Sequence, residues 1–206
     1  VQLTENLIRK ITQMSRSLIN KDSKPSYVIS HIKRERIDFN RRKERAFNGN
    51  SKKAHKIYRL YHNSIKKLIL GNLDSFNKSL LIDIHGFEQE DIPRGFRIVD
   101  IVLGTNNLAT LFPYDIPKKK RDQNIRGKII ETLLKNDIKV APGHPKRKEY
   151  VLKGGYITKK YGASRYHRNS QTIQIEFSDE VRVNNGLLKE QILKLLAEIF
   201  IDQINQ

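Results

Sequence analysis

The protein has 206 residues, 37% of them hydrophobic and 30% charged, which suits one globular domain over residues 1–206 and argues against a wholly disordered chain. The absence of cysteine excludes disulfides, thiolate metal sites and a cysteine nucleophile, so any metal must be held by His, Asp or Glu. The net charge of +18 favours a polyanionic partner, either nucleic acid, an anionic membrane surface or a carboxylate-rich substrate, unless it only reflects genome composition.

The first third of the chain predicts two helices separated by a polar segment. Leu3 to Ile19 and Ala54 to Leu70 both carry apolar residues at helical spacing. Between them, the β-branched segment SYVISHI (26–32) predicts a short strand, and NRRKERAFNGNSKK (40–53) predicts a loop. The start of the chain lacks a signal-peptide layout and no apolar run reaches the roughly 20 residues that cross a bilayer. We therefore expect no membrane span and a cytoplasmic location.

The rest of the chain alternates strands with helices. The predicted strands are SLLIDI (79–84), RIVDIVLG (97–104), DIKVAP (137–142) and TIQIEFS (172–178), and the predicted helices are IRGKIIETLLKN (125–136) and residues 186–204. Such alternation is typical of an α/β domain. The continuous apolar character of SLLIDI indicates a central strand of a parallel or mixed sheet.

A histidine follows the most apolar strand. Asp83 and His85 stand two residues apart and should share a face of that strand, after which Gly86 lets the backbone turn away. Imidazole at the carboxyl end of a strand is a common metal ligand, and a carboxylate can fix its tautomer. A structural histidine is the alternative that this motif alone favours.

A carboxylate lies on the polar face of the last strand. Alternation in QTIQIEFS places Glu176 on one face of the strand and the apolar residues on the other face. The strand itself should lie inside the sheet. Burying a carboxylate is costly, so a buried one usually has an ion-pair or hydrogen-bond partner or a catalytic role. Glu176 could act as a general base on metal-bound water, and the alternative is an ion pair with an arginine.

Two further segments carry polar or flexible residues. KGGYITKKYG contains Gly154, Gly155 and Tyr156, whose glycines permit close backbone approach. In KRERIDFNRR, Arg34, Asn40 and Arg41 could recognise an acidic substrate, since arginine binds carboxylates through two parallel hydrogen bonds. A solvated basic loop is the ordinary alternative.

The order of these segments resembles the motifs of the N-formylglutamate amidohydrolase family. The matching segments are R-x-x-x-D-x-N-R at Arg34–Arg41, D-x-H-G at Asp83–Gly86, L-G-T at Leu103–Thr105, G-G-Y-I-T-x-x-Y-G at Gly154–Gly162, and Q-x-E at Gln174–Glu176. The match spans roughly residues 26–178, and the glycine-rich segment is its most specific part. The resemblance implies a three-layer α/β domain with a mixed, mostly parallel sheet between helices, as in zinc carboxypeptidases and phosphorylase/hydrolase-like folds.

The resemblance also implies a chemistry and a role for each residue. It implies a Zn²⁺-dependent hydrolase that cleaves an amide bond beside a carboxylate, with His85 as metal ligand and Asp83 supporting it. Glu176 would activate water and Arg34 would polarise the carbonyl, as suits their chemistry. The residues expected to bind the substrate are Asn40, Arg41, Gly154, Gly155 and Tyr156. The expected partner is an acidic small molecule or a glutamate-rich peptide.

The family's first zinc ligands precede the part of the motif order that this chain contains. They come from an H-G-G- or H-S-G-like motif followed by an acidic residue, and no histidine precedes His31 here. A catalytic zinc needs three protein ligands. We therefore expect the other ligands upstream of Val1, because the later catalytic residues are intact, and not among His55, His62, His144 or His167.

Two other functions remain open at this stage. Residues 31–68 carry 13 Lys or Arg against three acidic residues, and such a segment could bind nucleic acid, although no helix-turn-helix, RRM or OB signature accompanies it. A catalytically inactive relative that binds acidic ligands is the third hypothesis. Loss of the zinc ligands from the gene would favour it.

Overall fold

A computed structural model describes residues 1–20, 24–49, 51–92, 97–150 and 152–205. The helices are α1 (Gln2–Ile19), α2 (Lys52–Phe76), α3 (Ile125–Lys135), α4 (Tyr156–Tyr161) and α5 (Gly186–Asn205), and the strands are β1 (Ser79–Phe87), β2 (Ile101–Gly104), β3 (Val140–Ala141) and β4 (Ser170–Ser178). Local sequence signals set two of the helix starts. The side chain of Ser51 accepts a hydrogen bond from Ala54 N at the start of α2, and that of Asn124 accepts one from Gly127 N at the start of α3.

The four strands form one mixed sheet in the order β1-β4-β2-β3. The pairs β1–β4 and β2–β3 are parallel, and β4 runs antiparallel to β2. Helices cover both faces of the sheet. This confirms the predicted α/β class with a mixed, mostly parallel sheet between helices.

Each face of the sheet packs against a different hydrophobic core. On one face, Ile173, Ile175 and Phe177 of β4 are fully buried and pack in the main core with α1, α3 and α5. A smaller core on the other face joins α2 and α4 to the loop that precedes α2. The side chains of β1 and β4 that point to this second face are mostly polar. It is the face that carries the candidate site.

The strand predictions differ from the structure at several points. β2 begins at Ile101 and not at residue 97, and β3 is limited to Val140–Ala141 within the predicted 137–142, because only these residues enter the ladders with β4 and β2. β4 begins two residues earlier than predicted, at Ser170.

Residues 26–31 have no regular secondary structure and Ile32 lies in a bend, so the strand predicted at 26–32 is wrong. Val28 and Ile32 pack on the smaller core, and no strand of the described chain pairs with this segment. β1 does not end at His85 but continues through Gly86 to Phe87, since its ladder with β4 reaches Phe87 opposite Ser178.

A buried ion pair links α3 to the loops beside β2. Arg126 Nη1 donates to Glu149 Oε1 at 2.8 Å, and both side chains are 1% exposed. The other carboxylate oxygen, Glu149 Oε2, accepts from the backbone N–H of Thr105 and of Asn107, both at 2.9 Å. The pair thus ties the L-G-T segment to Glu149. Nothing in the spacing of these residues along the sequence predicted it.

Candidate functional site

The register of β1 and β4 brings the predicted catalytic side chains together. His85 lies opposite Glu176, and Asp83 lies opposite Gln174. Because registered residues of parallel strands point to the same face, all four side chains share the face that α2 and α4 cover. The predicted alternation in both strands therefore holds.

The imidazole of His85 is held by two neighbours. Its Nε2 lies 2.9 Å from Asp83 Oδ1 and 3.2 Å from Asn40 Nδ2. Asn40 Oδ1 accepts from Ile157 N at 2.9 Å, which directs its NH₂ group to the histidine. A carboxylate can only accept, so Nε2 carries the proton and donates to Asp83, and the Asn40 amide is a packing neighbour. In the neutral ring, Nδ1 then presents a lone pair that no described residue hydrogen-bonds.

Opposing effects act on the protonation of His85. Burial lowers the pKa of the imidazole, but the charge of Asp83, its hydrogen bond and the nearby Glu176 outweigh burial and raise the pKa overall. Arg34 opposes this rise. The same geometry therefore holds the ring firmly and increases its basicity, as a carboxylate behind a metal-binding histidine does.

Asp83 is itself fixed from α4. It is 9% exposed, and its Oδ2 accepts a hydrogen bond of 3.0 Å from the hydroxyl of Thr158, which is fully buried. That hydroxyl also lies 3.2 Å from Gln174 Oε1. Thr158 and Gln174 are site residues that our sequence reasoning did not assign, although both belong to the motifs G-G-Y-I-T and Q-x-E. Their presence in those motifs was the available signal.

Glu176 is a buried carboxylate with a polar neighbour. It is 7% exposed, and one of its oxygens accepts a hydrogen bond from the side-chain amide of Gln174. Burial raises the pKa of Glu176, and the charge of His85 and the hydrogen bond from Gln174 only partly oppose this. Within the described chain no ion pair neutralises it. The predicted alternative of a simple arginine pair is therefore not what the described residues form.

Arg34 and Arg41 are held by a shared carboxylate. Arg34 Nε donates to Asp38 Oδ2 at 2.9 Å, and Arg41 Nε lies 3.4 Å from the same oxygen. The other oxygen, Asp38 Oδ1, accepts from the backbone N–H of Asn40 at 2.9 Å. Asp38 was part of the R-x-x-x-D-x-N-R motif without a role of its own. It organises all three predicted residues of this segment.

The glycine-rich segment packs where side chains would not fit. A Cβ on Gly155 would overlap the Asn40 amide, and a Cβ on Gly104 would overlap the backbone of Gly154. Gly155 N also donates to the side-chain oxygen of Gln174. Close approach of the backbone, as the sequence predicted for this segment, therefore joins the L-G-T segment, Asn40 and β4 in one unit.

A cavity of about 970 Å³ opens above these residues. The predicted residues in its wall are Arg34, Asn40, Arg41, His85, Gly154, Gly155, Tyr156 and Glu176, and Asp83 lies behind His85. Segments separated by more than 100 residues along the chain thus meet in one concave site. The remaining wall is rich in basic side chains.

The described residues fit zinc only in part. His85, with its proton held on Nε2 by Asp83, offers Nδ1 as one metal donor, which suits zinc chemistry. Among the described ranges, however, no group of three or more His, Asp or Glu side chains could hold a metal ion. His62 is not a candidate, because it is buried between Tyr161 and the Phe39 carbonyl.

The fold and the site can now be compared with those of known proteins. No family model matches the sequence, and no curated protein does. The fold is similar to that of N-formylglutamate amidohydrolase from Ralstonia eutropha JMP134, with a TM-score of 0.51 and 16% identity over 72% of this chain. The chain spans about half of that structure, 51% of its length. At this identity the likeness shows a shared α/β fold. In the described residues, no helix has the length and apolar character needed to cross a membrane.

Proposed function

We propose that the protein is a zinc-dependent hydrolase that cleaves an amide bond, N-acyl or peptide-like, beside a carboxylate of a glutamate-like substrate. The observation that carries the proposal is the pairing of His85 with Glu176 at a basic cavity, each held by a polar neighbour. The fold likeness to an N-formylglutamate amidohydrolase supports the same class of reaction.

Glu176 is the proposed general base. Burial raises the pKa of Glu176 above its ordinary value, and a base whose pKa lies nearer the working pH is more effective. The Gln174 amide binds one carboxylate oxygen and leaves the other for a water molecule. Glu176 would take the proton of that water and later pass it to the leaving nitrogen.

The basic residues have separate proposed roles. Arg34 lines the same cavity as His85 and Glu176, and its guanidinium would stabilise an oxyanion that forms there. Arg41 and the free NH₂ of Asn40 would bind the carboxylate of the substrate. Gly155 and Tyr156 line the same wall and would hold the backbone of the substrate.

Zinc, when bound, would polarise the carbonyl and lower the pKa of its water to about 7. His85 would contribute Nδ1, and Asp83 would keep the ring in the required orientation and tautomer. Because no described group of three or more His, Asp or Glu side chains could hold a metal, at least one further ligand would have to come from outside the described residues.

Metal analysis and hydrolysis assays of the purified protein test this proposal. We expect stoichiometric zinc, release of glutamate from N-formylglutamate, and loss of this activity with a chelator. Glu176→Gln should lower kcat by about 10²–10⁴-fold, the usual contribution of a general base. The control Glu190→Gln changes an exposed carboxylate that pairs with Lys10 and should leave kcat unchanged. Activity that resists both the chelator and Glu176→Gln would refute the mechanism.

A further inference from the structure

Five basic side chains in the cavity wall have no role in the proposed reaction. These rim cations are Arg42, Arg45, Lys153, Lys159 and Arg165. Unlike Arg34 and Arg41, which share Asp38, they form no ion pair with any residue in the described ranges. With Arg34 and Arg41, the described residues of the wall include seven Lys or Arg side chains and two acidic ones, Glu44 and Glu176.

The rim cations approach the cavity from different elements. Arg42 and Arg45 belong to the loop before α2, Lys153 precedes α4, Lys159 lies within α4, and Arg165 follows that helix. All except the half-buried Lys159 are exposed, whereas Glu176 and Asp83 are buried. The excess positive charge therefore surrounds the mouth of the cavity, and the reactive groups lie at its floor.

The loop that carries Arg42 and Arg45 is fixed to the protein. Ile37, Phe39 and Ala46 anchor its two ends in the smaller core, where each is less than 10% exposed. Tyr58 Oη donates to the Arg41 carbonyl at 2.7 Å, and Asp38 N donates to the Ala46 carbonyl at 2.7 Å. The arginines therefore project from a preorganised backbone, and a ligand that binds them does not have to order the loop first.

The size of the cavity exceeds what one amino acid needs. Pockets of about 300–1,000 Å³ enclose most of a drug-sized ligand, and this cavity is at the upper end of that range at about 970 Å³. Asn40 and Arg41 in the cavity wall already serve the substrate carboxylate in the proposed reaction. The five rim cations would be surplus for a substrate with a single glutamate.

We infer that the substrate is an acidic peptide that carries several carboxylates beyond the scissile bond, and that the rim cations bind them. This inference rests on the proposed amide hydrolase function and defines its substrate class. Arginine and lysine also bind phosphates. A peptide is favoured over nucleic acid because the site is concave and, among the described residues, Phe87 and Tyr156 are the only phenyl or phenol rings in its lining, which gives little surface for stacking bases.

Binding and hydrolysis of matched probes test the inference. The probes are fluorescein-labelled N-formyl-Glu, N-formyl-(Glu)₄ and N-formyl-(Gln)₄, and a single-stranded DNA tetramer, each measured by fluorescence anisotropy at about 50 mM salt. We expect N-formyl-(Glu)₄ to bind at least about tenfold more tightly than the other three probes. Arg42→Gln/Arg45→Gln should weaken its binding about fivefold, since it removes two exposed charges that would pair with carboxylates of the peptide.

The control variant removes two charges elsewhere. Lys118→Gln/Lys119→Gln changes two exposed lysines of the 118–120 turn, which do not line the cavity, and it should bind N-formyl-(Glu)₄ as the wild type does. Equal loss in both double variants, equal affinity for the mono- and tetraglutamyl probes, or tighter binding of the DNA would overturn the inference.

Hydrolysis separates this inference from the proposed function. If N-formyl-Glu is cleaved but N-formyl-(Glu)₄ has the same kcat/KM, the hydrolase proposal stands and the acidic-peptide inference fails. If neither is cleaved although N-formyl-(Glu)₄ binds through Arg42 and Arg45, the hydrolase proposal fails and the rim cations are confirmed as a binding site for acidic peptides.

Discussion

His85 and Glu176 lie side by side across two parallel strands, in direct register. The same ladder aligns Asp83 with Gln174 one step earlier, so one strand pair supplies both the imidazole and carboxylate and the groups that orient them. Such a register is set by the burial of one face. Slipping by one residue would move Ile173, Ile175 and Phe177 out of the core. The packing of the main core therefore fixes the geometry of the site.

Replacing Asp83 with Asn tests how the histidine is oriented. The amide keeps the size of the carboxylate but removes the charged acceptor of His85 Nε2 and of the Thr158 hydroxyl. Loss of a carboxylate behind a metal-binding histidine costs about 10–100-fold in metal affinity or activity. We expect a decrease of that size in kcat/KM for N-formylglutamate, measured together with the zinc content.

The matched control is Asp74→Asn, which changes an exposed carboxylate on α2. It should retain wild-type kcat/KM and zinc content. Wild-type activity in Asp83→Asn would show that the contact between Asp83 and His85 is structural only.

Much of the fold could be predicted because hydrophobic periodicity depends on local sequence. The helices α1, α2, α3 and α5 and the alternation in β4 follow from the spacing of apolar residues. The strand predicted at 26–32 was wrong, because a short β-branched run indicates an extended backbone but not whether a partner strand lies beside it.

Much of the candidate site could be located only through the order of its motifs. Spacing along one strand predicts that Asp83 and His85 share a face, but only the tertiary structure shows that Thr158 reaches Asp83 from 75 residues away. The link between Arg126 and Glu149 was missed for the same reason. Both residues are charged, so sequence alone suggests a surface, and their burial depends on each other.

Alanine at Gly155 should disturb the site through packing. A Cβ there would overlap the Asn40 amide, which contacts both His85 and Ile157. Overpacking of this kind costs about 1–3 kcal/mol of stability, and Asn40 would have to leave its place. We expect a lower midpoint in urea unfolding and a reduced kcat/KM for N-formylglutamate.

Gly71→Ala serves as the comparison, because Gly71 lies in α2 and a Cβ there meets no atom within 4 Å. This substitution should raise the free energy of unfolding by about 0.5–1 kcal/mol, since alanine is the better helix former. If the two alanine variants have the same stability in urea and the same kcat/KM, the close approach of Asn40 is not the reason for glycine at position 155.

His62 should make the stability of the protein depend on pH. Burial and the nearby Lys160 lower the pKa of this imidazole from 6.5 to about 4, although the hydrogen bond to the Phe39 carbonyl opposes the shift. The folded state thus favours neutral His62. The contribution of neutral His62 to the free energy of unfolding is complete above pH 6.5. It decreases as the pH falls toward 4, by at most about 3 kcal/mol.

Urea unfolding between pH 7 and pH 4 measures this dependence. The variant His62→Gln has no titrating group at this position, so its free energy of unfolding should be lower at pH 7 but should fall less steeply with acid than that of the wild type. The carboxylates titrate in both proteins, and the difference between the two curves therefore reports His62. Parallel curves would exclude a buried neutral His62 as a source of acid sensitivity.

The ion pair of Arg126 and Glu149 should contribute far more to stability than an exposed pair. Glu149→Gln would leave the guanidinium of Arg126 buried without a counter-charge, although two backbone carbonyls still accept from it. Breaking a buried pair in this way costs about 3–5 kcal/mol. We expect a loss of that size in the free energy of unfolding, measured in urea.

Asp202→Asn provides the matched comparison. Asp202 forms an exposed ion pair with Lys128, which lies on α3 as Arg126 does. Its removal should cost less than about 1 kcal/mol, as is usual for exposed ion pairs. The two variants each replace one carboxylate by an amide, so burial is the main difference between them. If both lose the same stability, Arg126 must be solvated, and the pair cannot be what holds the L-G-T segment against the glycine-rich wall of the cavity.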